Sequence, residues 1–105
     1  MTIVKLIASK RPFLSLEFFP PKEKEKWEEF FRRVEELKAL SPLFVSITCG
    51  AGGSSTEHTL EVASHLQNRL GLETMAHLTC IGSRCREVSS SLGEMEKAGI
   101  HNVLA

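Results

Sequence analysis

Three observations predict an α/β fold built on a parallel sheet. First, β-favouring apolar runs alternate with helix-period segments in the order β-α-β-α-β-α-β. Second, polar residues fall at or near the ends of the first three apolar runs: Glu17, Thr48 and His77, separated by 31 and 29 residues. One βαβ repeat takes roughly 30 residues. Third, right-handed crossovers then place these three side chains together on one face, where barrels and open α/β sheets alike carry their sites.

The elements follow in order. Residues 2–9 can form a short helix capped by Thr2, with Ile3, Leu6 and Ile7 inward, ended by Lys10-Arg11-Pro12. The first strand is expected near 13–18, because Phe13, Leu14, Leu16, Phe18 and Phe19 supply β-favouring bulk. Pro20 and Pro21 stop it, since neither has an N–H to give the ladder. Glu23 to Leu40 is the clearest helix, with Trp27, Phe30, Phe31, Val34, Leu37 and Leu40 in one apolar stripe and Ser41-Pro42 as its stop.

The second strand, 43–48, runs into a glycine-rich turn, Cys49-Gly50-Ala51-Gly52-Gly53-Ser54-Ser55. Ser54 followed by Glu57 fits a capping box for a helix reaching about Leu70, with Leu60, Ala63, Leu66 and Leu70 apolar and Gly71 at its end. A third strand spans 72–79. Ser83 then caps a helix to about Ala98, with Val88, Leu92 and Met95 inward and Gly99 closing it. Ile100 to Ala105 begins a fourth strand, and the chain stops inside it.

Composition sets the broad class. With 105 residues, 42% apolar and 25% charged, the chain is long enough for one small globular core. A formal net charge of zero offers no basic surface for nucleic acid or an anionic membrane. No apolar run is long enough to span a bilayer, and Lys5 breaks the N-terminal segment as a secretory signal. Cys49, Cys80 and Cys85 are an odd number with no disulfide framework, and no histidine is spaced with them as a metal site requires. They read as reduced packing residues of a cytoplasmic protein.

Glu17, in an apolar strand, is a candidate general acid that desolvation would tune, against the plain alternative of a structural ion pair. His77 is a candidate cofactor donor or acid–base group, or else a satisfied strand histidine. The Thr48 hydroxyl can donate a hydrogen bond, although taken alone the residue reads first as a β-branched residue in ordinary strand packing. The 50–55 loop can cradle an anion at a helix start, but it lacks the lysine of a P-loop and the G-x-G-x-x-G spacing. His58, His65 and His101 read as surface or helix residues. The residues alone leave two architectures open: a piece of a larger (β/α)8 barrel, which needs about 250 residues, or a four-strand doubly wound sheet.

Four linked blocks carry a resemblance. They are Leu16-Glu17-Phe18-Phe19-Pro20-Pro21-Lys22, Phe44-Val45-Ser46-Ile47-Thr48-Cys49-Gly50-Ala51-Gly52-Gly53-Ser54, Gly71-Leu72-Glu73-Thr74-Met75-Ala76-His77-Leu78-Thr79-Cys80 and Ala98-Gly99-Ile100-His101-Asn102-Val103-Leu104-Ala105. In order and spacing they resemble the N-terminal part of the 5,10-methylenetetrahydrofolate reductase family. The resemblance implies the N-terminal half of a (β/α)8 TIM barrel, residues 1–105 being a single partial domain that ends within its fourth strand. It also implies FAD as cofactor, with hydride passing from NADH or NADPH to FAD and on to methylenetetrahydrofolate, giving 5-methyltetrahydrofolate.

By motif match, Glu17 is the general acid that protonates the folate and helps open its imidazolidine ring to the iminium. Thr48 contacts the flavin near the nicotinamide, Cys49 and Ala51 line the flavin from the same loop, and His77 hydrogen-bonds or packs on FAD. Cys49 departs from the family pattern, which usually has an aromatic residue there. The Arg-Gly-Asp segment that follows the family's fourth strand is not among these 105 residues. The expectation is therefore that this chain alone binds FAD poorly and does not turn over. Two alternatives stand beside it. One is a non-catalytic split-barrel polypeptide that pairs with a partner chain or itself through the apolar edge at Ile100 to Leu104. The other is a small phosphate-binding domain using the 50–55 loop.

Overall fold

Four short strands lie in one parallel sheet, in the order β1-β2-β3-β4: β1 Ser15–Phe18, β2 Phe44–Ile47, β3 Thr74–His77 and β4 Asn102–Leu104. The structure is a computed structural model and describes residues 2–50 and 55–105. Helices α1 (Ile3–Ser9), α2 (Trp27–Leu37), α3 (Thr56–Asn68) and α4 (Cys85–Lys97) complete the chain. The predicted alternation is present, with each strand shorter than its apolar run because only the central residues find ladder partners.

The strand order decides between the two architectures. A doubly wound sheet reverses direction at a switch point. Here each strand adds to the same edge, so right-handed crossovers put all connecting helices on one side. The core agrees: Val34 of α2, Val62, Ala63 and Leu66 of α3 and Met95 of α4 join Val45, Ile47 and Ala76 in a single buried cluster, with Leu16, Phe18 and Val103 packed against it. This singly wound α/β arrangement is that of the first four strands of a TIM barrel.

Several local expectations are corrected. Thr2 makes no side-chain cap; the N–H of Ile3 donates instead to Asn102 Oδ1 at 2.9 Å, and only Ile3 of α1 is buried, Leu6 and Ile7 being half-buried. The helix expected over 23–40 is α-helical only in its middle, with 3-10 turns at Lys24–Lys26 and Lys38–Leu40. A 3-10 turn advances fewer residues per turn than an α-helix. Leu40 thereby leaves the apolar stripe and is exposed, as is Leu37 at the helix end.

Ser54 lies outside the described residues. The cap of α3 is Ser55, whose Oγ accepts from the N–H of His58 at 3.2 Å. Ser83 does not cap α4: Arg84 takes that position without a side-chain bond, and the N–H of Ser83 closes a turn onto the Cys80 carbonyl. Leu92 sits at the edge of the α4 stripe and is exposed, whereas Met95 at its centre is buried. Gly71 and Gly99 do end α3 and α4, with φ of +68° and +82° that residues bearing a Cβ rarely adopt.

His58 and His65 are not simply surface residues. His65 stacks on Phe31 at 3.7 Å and 4°, and His58 meets Trp27 edge-on, so the two histidines form part of the α2–α3 packing. Burial lowers the His65 pKa first, the Arg69 charge lowers it further, and Glu35 opposes both.

Candidate functional site

Strand register builds the site. Leu16, Phe18, Val45, Ile47 and Ala76 point to the helices, so the period-2 alternation sends Glu17, Ser46, Thr48, Met75 and His77 to the opposite face. Glu17, Ser46 and Met75 share one row. Thr48 and His77 stand one step closer to the C-terminal ends, and the ladder reaches that step because the N–H of Thr48 donates to the Phe18 carbonyl at 3.1 Å.

The structure brings Glu17 and His77 together. Glu17 Oε1 lies 3.5 Å from His77 Nε2. Their strands are second neighbours, about 10 Å apart, so both side chains lean over β2. On that strand stand only the short side chains of Ser46 and Thr48, and both are buried. The Glu17 side chain is 53% exposed and that of His77 21%. The desolvated setting expected for Glu17 is therefore not found: Glu17 is on the face opposite its apolar neighbours, which the four-residue alternation of β1 dictates.

Thr48 is 7% exposed, and its Oγ1 is buried with no hydrogen-bond partner among the described residues. An unpaired buried hydroxyl costs free energy, on the order of 1–3 kcal/mol, and so marks a place where a polar group is accommodated. Thr59, which sequence reasoning missed, fixes this strand end. Its single hydroxyl proton is shared between the Thr48 carbonyl at 3.0 Å and the Ser55 carbonyl at 3.1 Å, tying the first turn of α3 to the end of β2. The available signal was a threonine in the first turn of a helix entered from a glycine-rich loop.

Cys49 follows Thr48 and is half-buried, with Sγ 3.6 Å from Thr56 Oγ1. Burial pushes its thiol pKa up, but hydrogen bonds from Thr56, the Thr79 backbone, Thr59 and the Thr79 hydroxyl together outweigh it, and the net direction is downward from 9.0. Ala51, the remaining predicted flavin contact, lies outside the described residues, as does most of the 50–55 loop on which the phosphate-binding alternative rests. Cys80 and Cys85 are exposed and do not pack in the core as expected. Among the described residues no group of three or more His, Cys, Asp or Glu side chains could hold a metal ion, and no helix is long and apolar enough to cross a membrane.

A singly wound parallel sheet with a carboxylate, an imidazole and a shielded hydroxyl at the C-terminal ends of successive strands defines a site-bearing segment of the (β/α)-barrel class. Comparison with known proteins narrows this. Residues 2–105 match the family model described as methylenetetrahydrofolate reductase. Methylenetetrahydrofolate reductase (NADH) 1 of Arabidopsis thaliana is 45% identical over 91 residues, 87% of this chain and 15% of that protein. The Zea mays protein of the same description is 41% identical over 103 residues, 98% of this chain and 17% of that protein. The 5,10-methylenetetrahydrofolate reductase of Escherichia coli (strain K12) is 33% identical over 92 residues, 88% of this chain and 31% of that protein. The chain belongs to the methylenetetrahydrofolate reductase family. It spans less than a third of the length of these relatives.

Proposed function

We propose that this chain forms the first four strands of a flavin-dependent reductase barrel that converts 5,10-methylenetetrahydrofolate to 5-methyltetrahydrofolate with NADH or NADPH, in the cytoplasm. The observation that carries the reading is the gathering of Glu17, Thr48 and His77 on one face, with 3.5 Å between the Glu17 carboxylate and the His77 imidazole. The family membership and the relatives' names, two of which specify NADH, support it.

The donor set fits a flavin. The shielded Thr48 hydroxyl has no hydrogen-bond partner among the described residues, and His77 presents a polar ring beside it. Thr48 and His77 would hold FAD, with Cys49 and Ala51 lining the same loop. When bound, FAD supplies the hydride relay between nicotinamide and folate. Glu17 donates a proton to the folate, which opens the imidazolidine ring to the iminium. A half-exposed carboxylate is reachable by a substrate on that face, where the His77 imidazole lies 3.5 Å from it.

A chimaera tests this. The chain replaces the corresponding segment of the Escherichia coli reductase, and bound flavin absorbance is read beside NADH-dependent folate reduction. We expect a yellow, active chimaera in which Glu17→Gln keeps the flavin and lowers reduction by about 10²–10⁴-fold. A yellow chimaera with unchanged turnover after Glu17→Gln overturns the reading. The 105 residues alone are expected to oxidise NADH or NADPH no faster than free flavin does.

The split-barrel alternative has less support than the apolar edge suggested. Ile100 is 2% exposed, inside the core, and of that edge only Leu104 is an exposed large apolar residue. A second copy or a partner chain completing the barrel stays within the proposal, because a parallel sheet is ordinarily covered on both faces.

A further inference from the structure

Cys80 and Cys85 line one cleft beside the first turns of α4, together with Ser83, Val88, Ser89 and Leu92. Both cysteines are exposed free thiols. The segment between them is folded back: the N–H of Ser83 donates to the Cys80 carbonyl at 3.1 Å. Such a turn holds its first and fourth Cα atoms within about 7 Å. The turn brings Ser83 back toward Cys80, and Cys85 follows two residues later, so the two thiols line one cleft across a loop of four intervening residues.

The two thiols differ. Cys80 Sγ donates to the Leu78 carbonyl at 3.7 Å, which engages its proton. Cys85 is the first residue of α4, between the exposed Arg84 and Arg86, with Glu87 the acidic residue of that first turn. A pair of arginines favours approach by a small molecule bearing carboxylates. Thiol pairs in reducing compartments, when they do oxidise, are usually transient and regulatory.

We propose that Cys80 and Cys85 are a redox-active thiol pair that exchanges with a low-molecular-weight anionic disulfide and closes to an internal disulfide. The Cys85 thiolate attacks one sulfur of the small disulfide, forming a mixed disulfide and releasing one small thiolate. The Cys80 thiolate then attacks the Cys85 sulfur, forming the Cys80–Cys85 bond and releasing the second. The protein loses two protons and two electrons, and the small disulfide is reduced to two thiols. The loop begins three residues after His77, and the Thr79 hydroxyl between them donates to the Cys49 carbonyl at 3.4 Å, so the bond forms at the rim of the candidate site. No step of this exchange uses folate or flavin, so it stands apart from the proposed function.

The test is intact-mass and peptide-mapping analysis of the native chain incubated with oxidised glutathione. The expected product has lost two hydrogens, carries no glutathione, resists alkylation at both thiols, and yields a linked Cys80–Cys85 peptide. Cys80→Ser should stop at a glutathione adduct on Cys85. A wild-type chain that stops at glutathione adducts overturns the proposal. So does an internal bond that forms as fast in the urea-unfolded chain, because the folded loop would then contribute nothing.

Discussion

Thr59→Val is the most direct test of how the site is held. Thr59 is fully buried, and its hydroxyl serves two carbonyls, those of Thr48 and Ser55. Valine keeps the branched shape and removes the donor. The Thr48 carbonyl then loses its bond to α3 within a strand end that is 7% exposed. Leaving such a group unsatisfied costs about 1–3 kcal/mol. The Ser55 carbonyl loses less, because it also accepts from the Thr59 backbone N–H at 3.0 Å. With a urea m-value of about 1 kcal/mol/M, the denaturation midpoint falls by about 1–3 M at unchanged slope. Thr59→Ser keeps the hydroxyl and should retain most of that stability. A midpoint for Thr59→Val within experimental error of wild type, or a Thr59→Ser loss equal to it, would refute the tether.

Met95→Ala empties the centre of the α4 contact and should cost about 2–5 kcal/mol in the same denaturation experiment, whereas Leu92→Ala at the exposed stripe edge should cost far less. The lowered pKa of His65 means that the folded state disfavours its charged form. The unfolded chain therefore binds the proton first, near the ordinary value of 6.5, and stability is lost as pH falls from there toward the folded-state value. Thermal melts of His65→Phe, which keeps a ring against Phe31, should show a shallower decline over that window. Thr56→Val removes the nearest hydroxyl from Cys49 Sγ, so the pH midpoint of Cys49 alkylation should move up; an unmoved midpoint would separate the thiol from that contact.

The face shared by Glu17, Thr48 and His77 was legible because two simple periods coincide, the roughly 30-residue βαβ repeat and the two-residue strand alternation. The direct approach of Glu17 to His77 was not. It depends on β2 carrying short side chains at 46 and 48, which matters only once the strand order is known. The histidines of α3 were hidden by pattern reading itself, which counts histidine as polar and so misses His65 lying flat on Phe31. Caps were misassigned where two candidates adjoin, as at Ser54 and Ser55, or where a distant residue supplies the bond. At Leu37 and Leu92 an apolar stripe extends past the neighbouring surface available to cover it, and at Leu40 a 3-10 turn carries the side chain off the stripe.

The bond from Ile3 to Asn102 joins residues 99 apart in the chain. A seven-residue helix has no independent stability in water. The anchor for α1 is thus β4, docked beside β3, where Asn102 also donates to Glu73 Oε1 at 2.9 Å. Protection of α1 from proteases therefore reports whether the fourth strand has joined the sheet.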